Sequence, residues 1–198
     1  MMPKIVDHSA RRRAVAEIAA KLIARDGIEG TKVRDIARLA GYSTSIVSHY
    51  FKSKHELLMS AYRMRMERTV ARVEEVSREG SALLDSLASV LPLDEERVES
   101  WRIWLAFWGL ATADETFLQE QRQRSRESVD LFHRAIVNSG AMPDDEQSRL
   151  VAQALLSSVA GIATQAIYDP DNWPAQRQLR ILKLHLDNHI PGWESRSG

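Results

Sequence analysis

Apolar residues recur at spacings of three and four along almost the whole chain, which is the period of an amphipathic helix. The first segment shows this pattern at Val15, Ile18, Ala19, Leu22 and Ile23. Glycine and proline lie mostly between such segments, and no run alternates with the period of two that marks a strand. The pattern therefore predicts an all-α protein of about nine helices.

Breaks in the pattern divide the chain into a region of short helices and a region of long ones. Helices are predicted over residues 9–26, 32–40, 44–50, 54–78, 81–91, 94–112, 114–139, 144–169 and 174–189. Thr31 and Ser43 are the expected N-caps of the second and third helices. These boundaries predict an N-terminal three-helix domain over residues 1–54 and a C-terminal helical domain over residues 55–198.

Residues 33–50 carry the most specific local pattern. Gly41 allows a tight turn between two short helices, and Ala37 is small where those helices must approach closely. The apolar residues available to hold the two helices together are Ile36, Leu39, Ile46 and Val47. This arrangement is typical of a helix-turn-helix, whose second helix enters the major groove of DNA. An ordinary helical hairpin is the alternative.

Charge is distributed unevenly along the chain. Residues 1–54 contain 11 Lys and Arg and 5 Asp and Glu, a balance of +6, whereas the remaining 144 residues contain 16 and 22, a balance of −6. A basic head on an acidic body is expected where one end meets phosphate. Arg11, Arg12 and Arg13 are interpreted either as a mobile arm that reaches DNA or as the solvated start of the first helix.

Composition argues against several classes of protein. The chain has no cysteine, so it has neither a disulfide framework nor a thiolate metal site. No stretch approaches the roughly 18 apolar residues of a membrane span, and no apolar segment with a cleavage site follows the N-terminal arginines. We therefore expect a cytoplasmic protein that does not associate with a membrane.

Three strings in the first 58 residues resemble the TetR family of transcriptional regulators. They are TKVRDIA at 31–37, AGYS at 40–43 and SHYFKSKHELL at 48–58. The strings PKI at 3–5, RRR at 11–13, ST at 43–44 and SHYF at 48–51, with Ile46, are similar to the BetI branch, and residues 104–108 and 169–171 extend the likeness weakly. The resemblance implies a helix-turn-helix DNA-binding domain followed by a domain that dimerises and binds an effector. BetI-type proteins repress genes for making glycine betaine and respond to choline.

The resemblance also implies roles for individual residues on double-stranded operator DNA. Lys54 and Tyr50 match family positions that hold backbone phosphate, and Lys32 and Arg34 match a second phosphate-contacting region. The residues left for base edges are Thr44, Ser45, Ile46, Ser48 and His49. Since this set lacks Arg, Asn and Gln, specificity is expected to depend partly on DNA shape. Many family members have Tyr at the position of Ser48.

Aromatic residues are concentrated in one helix of the C-terminal domain. Trp101, Trp104 and Trp108 fall on a single helical face, with Phe107 beside them. Core packing is one interpretation. The other is a ligand cage, because aromatic faces attract quaternary ammonium groups by about 0.5–2 kcal/mol each. The predicted ligand-binding residues are Trp101, Trp104, Phe107, Trp108, Tyr168 and Trp173. No cofactor is predicted.

Small and apolar residues follow the last two predicted helices. The predicted dimer interface comprises Ala154, Leu155, Ser158, Gly161, Ile162, Leu179, Leu182, Leu186 and His189. Two such helices from each subunit would form a four-helix bundle, and two operator half-sites require two-fold symmetry. Alternatively, these stripes face the domain's own core, and both arrangements can hold at once.

Two groups of residues have the spacing of metal ligands, but neither is a complete ligand set. They are Glu127, Asp130 and His133, and the pair His185 and His189. No glycine-rich phosphate loop or nucleophile motif is present, so neither a metal site nor an enzyme is predicted. The sequence favours a homodimeric repressor that a small molecule releases from its operator. The alternatives are an effector-independent helical dimer and an enzyme that uses the aromatic pocket.

Overall fold

The computed structural model describes residues 8–78 and 82–195, and within them every regular element is a helix. The elements are α1 (His8–Gly30), α2 (Val33–Ala40), α3 (Thr44–Tyr50), α4 (Lys54–Arg78), α5 (Leu83–Ala88), α6 (Glu95–Ala111), α7 (Glu115–Asn138), α8 (Glu146–Tyr168), α9 (Ala175–His189) and a 3-10 turn (Trp193–Ser195). The predicted all-α fold of about nine helices is confirmed for these residues. The PKI string at 3–5 lies outside them.

Helices α1, α2 and α3 form the N-terminal head. Gly27 interrupts α1 with φ 71° and ψ 172°, close to the end predicted at residue 26. Gly41 adopts left-handed φ 69°, so the chain turns sharply into α3. Ser43 caps α3 as expected, accepting the N–H of Ile46 at 3.3 Å. The expectation for Thr31 is wrong, because its hydroxyl donates to the Gly27 carbonyl at 2.8 Å and does not cap α2.

Helix α4 connects the head to the rest of the molecule. Its buried Leu57, Leu58 and Ala61 lie in its first two turns, and the helix packs against α1, α6 and α7. The predicted boundary between residues 54 and 55 therefore falls at the start of a continuous helix. Movement of α4 must move the surfaces that pack on it in both regions. The division into two domains stays a prediction.

Helices α5 to α9 form the C-terminal body. Helix α5 is shorter than the predicted 81–91, because 3-10-type bonds from the Val90 and Leu91 N–H groups turn the chain before Pro92. Helix α8 is long and apolar enough to cross a membrane by length and composition alone, contrary to the expectation that no stretch approaches a membrane span. It packs against α6, α7 and α9, so its buried apolar side chains belong to the core of the body.

Candidate nucleic-acid interface and effector cavity

Helix α3 projects polar side chains from the head and anchors itself with one apolar residue. Val47 is fully buried, and Ile46 is half-buried. The other residues predicted to read bases are exposed, namely Thr44, Ser45, Ser48 and His49. The Ser43 and Ser45 hydroxyl oxygens lie 2.8 Å apart at the start of the helix. The structure therefore brings the five predicted base-reading residues together on one short helix at the surface.

Two predicted phosphate ligands hold neighbouring parts of the head in place. The Tyr50 phenol oxygen lies 3.1 Å from Nδ1 of His8, at the start of α1. The Lys54 ammonium donates to the carbonyls of Ile28 at 3.4 Å and Glu29 at 3.2 Å. Both groups are thus positioned by α1 and remain partly exposed beside α3. This ordering reduces the conformational freedom that each side chain would lose on contact with phosphate.

The other two predicted phosphate ligands lie at the start of α2. Lys32 immediately precedes the helix and Arg34 lies in its first turn, and both side chains are exposed. The first N–H groups of a helix carry partial positive charge, which reinforces these cations where an anion approaches.

The arginines near the N-terminus are part of α1 and do not form a separate arm. The Arg11 guanidinium lies 5.9 Å from the centroid of the Tyr42 ring, and that of Arg12 lies 4.7 Å from the centroid of Phe51. Arg12 also pairs with Glu56 at 3.5 Å. The mobile-arm interpretation is therefore wrong for Arg11 and Arg12. Sequence reasoning missed these contacts because their aromatic partners are about 30–40 positions away.

A cavity of about 320 Å³ lies between α4, α6, α7 and α8. It is lined by Tyr62, Met66, Thr69, Val70, Val90, Trp101, Trp104, Trp108, Gln121, Arg124, Ser125, Ser128, Leu131, Phe132, Leu156, Ser157, Val159 and Ala160. The volume lies at the lower end of the roughly 300–1,000 Å³ typical of small-molecule sites. A mainly apolar wall with a few polar groups is also typical of such sites.

Three tryptophans of α6 form one aromatic cluster in the wall. The Trp101 ring meets Trp104 edge-on at 4.7 Å and Trp108 at 5.9 Å, both measured between centroids. The Trp101 N–H donates to the Val90 carbonyl at 2.8 Å. These indoles are partly core residues and partly cavity wall. Core packing is therefore part of their role, and the ligand cage stays a prediction.

Phe107 supports the cavity from behind. It is fully buried and stacks on Tyr62, with centroids 3.7 Å apart and planes at 11°. The Tyr62 hydroxyl donates to Gln121 at 2.7 Å. Burial raises the pKa of the Tyr62 phenol, so this group stays protonated and keeps donating near neutral pH.

Like Phe107, two further aromatic residues predicted for the ligand site do not line this cavity. Tyr168 ends α8 and is 71% exposed, and Trp173 lies in the turn before α9. The prediction that Tyr168 and Trp173 belong to this site is therefore wrong. The cavity instead uses Tyr62 of α4 and Gln121 and Arg124 of α7, which sequence reasoning missed. No local pattern marks them, because the cavity exists only once separate helices pack together.

Ion pairs connect α4 and α7 beside the cavity. Glu120 accepts hydrogen bonds from Arg63 at 3.0 and 2.6 Å and from Arg124 at 2.8 Å. The bonds from Arg63, followed by those from Arg124, hold the pKa of Glu120 below its ordinary value despite partial burial. Arg124 also donates to Glu127 at 2.7 Å. Arg124 is therefore held by two carboxylates while it lines the cavity.

Arg65 links the head to the aromatic helix. This α4 side chain is 1% exposed, and its Nη2 donates to Glu17 of α1 at 3.2 Å and to Glu99 of α6 at 3.0 Å. Glu96 of α6 lies 3.7 Å from its Nη1. A buried cation is stable only while its partners stay in place, so α1, α4 and α6 are electrostatically coupled at this point.

The predicted dimer residues divide between the core and the surface. Leu155, Ile162, Leu182 and Leu186 are buried inside the protomer, so the prediction that they face a partner is corrected. The remaining predicted residues are exposed or half-buried, namely Ala154, Ser158, Gly161, Leu179 and His189. Sequence reasoning missed Leu150 and Leu184, which are 52% and 57% exposed. We call the outward stripe of α8 formed by Leu150, Ala154, Ser158, Gly161, Gln165 and Tyr168 the α8 face.

The residues with metal-ligand spacing have other partners. Glu127 and Asp130 pair with Arg124 and Arg149, and Nε2 of His133 lies 2.9 Å from the Ser148 hydroxyl. The rings of His185 and His189 stack 6.4 Å apart. No group of three potential metal ligands occurs in the described ranges.

An exposed helix-turn-helix on a basic head, joined by one helix to a cavity-bearing body, defines a transcriptional regulator of the helix-turn-helix class. Residues 16–61 match the family described as "Bacterial regulatory proteins, tetR family", and residues 80–191 match that described as "BetI-type transcriptional repressor, C-terminal". The chain belongs to the TetR family of bacterial transcriptional regulators, and its C-terminal region is of the BetI type.

Individual relatives agree with this assignment. The chain is 26% identical over 191 residues to the HTH-type transcriptional regulator PksA of Bacillus subtilis, covering 94% of this chain and 93% of that protein. It is 26% identical over 206 residues to BetI of Vibrio campbellii, covering 96% of each. As in other members of the family, the functional unit is a homodimer that binds operator DNA and a small-molecule effector.

Solved structures show the same fold. A transcriptional regulator from Rhodococcus sp. Rha1 superposes with a TM-score of 0.78 at 26% identity, covering 91% of this chain and 96% of that one. A regulator from Saccharomonospora viridis in complex with choline superposes with a TM-score of 0.71 at 22% identity, covering 92% and 98%.

Proposed function

We propose that this regulator represses transcription from an operator that α3 reads, and that a small molecule in the cavity between α4, α6, α7 and α8 releases it. The observation that carries the proposal is the position of α4. Its Tyr62 and Met66 line the cavity, while Arg65 between them pairs with Glu17 of the head. A ligand that shifts α4 therefore changes the position of the head directly.

Release follows from a shift between two states of the dimer. A ligand favours release only if it binds more tightly to the state of the dimer that cannot bind DNA than to the state that can. Tilting α4 would change the distance between the two α3 helices, which must match half-sites about 34–36 Å apart or a multiple of that spacing. The ion pairs of Arg65 with Glu17 of the head and with Glu96 and Glu99 of α6 transmit the tilt, because each partner that separates leaves a buried charge less well compensated.

The side chains of the head support recognition of the operator by direct contacts and by DNA shape together. Lys32, Arg34, Tyr50 and Lys54 supply cations and a phenol for phosphate. Thr44 and Ile46 can contact thymine methyl groups, and the hydroxyl of Ser48 can donate or accept. Since no bidentate base-reading side chain lies on α3, we expect sequence-dependent DNA shape to contribute to specificity.

The α8 face, with Leu184 of α9, supports the proposed dimer interface. It presents small residues at Ala154, Ser158 and Gly161, which permit close helix approach, flanked by exposed Leu150 and Tyr168. Exposed apolar side chains in one stripe favour burial against a second copy.

The aromatic wall supports a small organic effector. The fold is shared with a protein that binds choline, and indole faces attract quaternary ammonium by about 0.5–2 kcal/mol each. A choline-like cation is therefore one candidate. The family consists of soluble DNA-binding regulators, and we infer that this member acts in the cytoplasm, where its operator lies.

The experiment is operator binding by fluorescence anisotropy, using DNA from upstream of the protein's own gene, with and without candidate metabolites. Lys32→Gln should lower affinity about tenfold or more and reduce the slope of log affinity against log salt by about 1.8, because one phosphate contact is lost in each subunit of the dimer. Lys21→Gln, which alters an exposed lysine of α1 that is not among the predicted DNA contacts, is the matched control. Equal salt slopes for the two variants would remove Lys32 from the interface. An affinity that no small molecule changes would favour the effector-independent alternative.

A further inference from the structure

Two indole N–H donors at the cavity have no acceptor within the described part of the chain. They are Nε1 of Trp104 and Nε1 of Trp108, both buried, on rings that line the cavity. Trp101, on the same face of α6, donates its N–H to the Val90 carbonyl at 2.8 Å. Burying a donor without an acceptor costs free energy, and most buried donors in proteins are paired. The contrast indicates that a bound molecule supplies the missing acceptor.

Trp104 carries this inference more strongly than Trp108. Trp104 is only 5% exposed, so bulk solvent does not satisfy its N–H. Burial raises the pKa of the Tyr62 phenol, and a weak hydrogen bond from the Trp108 N–H opposes that rise slightly. The Trp108 N–H therefore has a weak partner in Tyr62, although it forms no hydrogen bond of normal geometry.

The strong acceptors nearest the cavity are already engaged. The side-chain oxygen of Gln121 accepts from Tyr62 at 2.7 Å. Glu120 and Glu127 accept from Arg124 at 2.8 and 2.7 Å, and neither carboxylate lines the cavity. Arg124 is the charged residue of the wall. The wall is therefore rich in donors, carries a guanidinium and offers no carboxylate to a cation.

We propose that the effector is a small organic carboxylate whose oxygens accept the N–H groups of Trp104 and Trp108 in the cavity that Arg124 borders. Its apolar or quaternary ammonium part lies against the indole faces. This inference rests on the proposed function and narrows the class of effector. A hydroxyl accepts more weakly than a carboxylate, and a ligand with a net positive charge gains no opposite charge from this wall.

The test measures the Kd of the full-length dimer by calorimetry for two pairs of probes. Glycine betaine and choline share a trimethylammonium group, and 3-phenylpropionate and 3-phenylpropanol share an aromatic one. The members of each pair differ in carrying a carboxylate or an alcohol. We expect the carboxylate to bind at least tenfold more tightly in one pair or both. If neither carboxylate has that advantage, including the case in which none binds, the proposal is overturned.

Trp104→Phe separates hydrogen bonding from packing, because it keeps an aromatic ring and removes the N–H. It should weaken binding of the carboxylate about tenfold and leave binding of the matching alcohol unchanged. Trp173→Phe, which alters a tryptophan outside the cavity, is the matched control and should change neither. Thermal unfolding checks that each variant is folded. Equal losses for carboxylate and alcohol would show that Trp104 only packs, and would refute its role as donor.

Operator release in the same samples distinguishes this inference from the proposed function. Release by a cation or an alcohol, without a preference for carboxylates, keeps the proposed function and overturns the inference. Tight carboxylate binding that leaves operator affinity unchanged keeps the inference and overturns the proposed function.

Discussion

The operator-facing surface and the effector cavity of this regulator are built in opposite ways. The surface is concentrated in α3, where exposed polar side chains surround the buried anchor Val47. The cavity draws residues from Tyr62 to Ala160 on four helices, and two of its donors are buried without partners. On a surface made by one helix, replacing one side chain leaves the positions of the others unchanged. A cavity made by packing changes shape whenever any of its helices moves, which is what a ligand-controlled switch requires.

The largest expected effect is a loss of operator affinity caused by breaking the dimer. Gly161 lies on the α8 face with open space around its Cβ position, so Gly161→Arg should leave the protomer folded and block close approach of a second copy. Since one head then binds alone, operator affinity should fall on the order of 100-fold. Sedimentation equilibrium measures the loss of the dimer, and fluorescence anisotropy measures the loss of operator affinity.

Gly109→Arg is the matched control for the dimer variant. Gly109 is also an exposed helical glycine with open space, but it lies on α6. It should remain a dimer with unchanged operator affinity. A dimeric Gly161→Arg protein would place the interface elsewhere.

A variant of intermediate expected effect tests how effector binding in the cavity is coupled to operator binding by the head. Glu17→Gln weakens the links from Arg65 and Arg68 of α4 to α1, and it leaves Glu99 of α6 in place. Stability should fall by about 1–2 kcal/mol, since a charged hydrogen bond is weakened. The ratio of operator affinities without and with effector should fall several-fold, because coupling through such contacts is worth about 0.5–2 kcal/mol.

The control for that coupling test is Glu75→Gln, which alters an exposed carboxylate further along α4. It should leave both stability and the affinity ratio unchanged. If Glu17→Gln lowers stability but leaves the affinity ratio intact, the ion pairs of Glu17 with Arg65 and Arg68 are structural contacts and do not carry the signal.

The smallest expected effect concerns acid stability beside the cavity. Arg63 holds the pKa of Glu120 below its ordinary value, so the ionised carboxylate binds protons less readily in the folded state than in the unfolded one. The resulting stability is present at neutral pH and is lost as the pH falls below about 4.3 and through the lowered pKa. Glu120→Gln should therefore lose about 1 kcal/mol at pH 7, with a smaller difference from the parent in acid.

Urea unfolding at several pH values measures this difference. Glu115→Gln is the control, because its pair with Arg122 is more exposed, with side chains 66% and 57% accessible. A loss for Glu120→Gln that is the same at pH 7 and pH 3 would contradict the assignment to the ionised carboxylate.

Residues whose role depends on their own helix were predictable. The turn at Gly41, the cap at Ser43 and the face shared by Trp101, Trp104 and Trp108 follow from local spacing, and the structure contains each of them. Roles that depend on which face a neighbour covers were predicted poorly. Leu182 and Leu186 were predicted to belong to the dimer interface, but they are buried in the protomer's own core. A helical pattern identifies an apolar face without identifying what covers it.

The amino-acid sequence by itself determined the helices, the basic head and the exposed chemistry of α3, because these depend on residues within a few turns of one another. Only the tertiary structure decided which aromatic residues surround a cavity, which donors lack acceptors there and which buried arginine connects the head to it. Those properties arise from contacts between distant helices, and burial and unsatisfied hydrogen bonds are defined only after the helices pack.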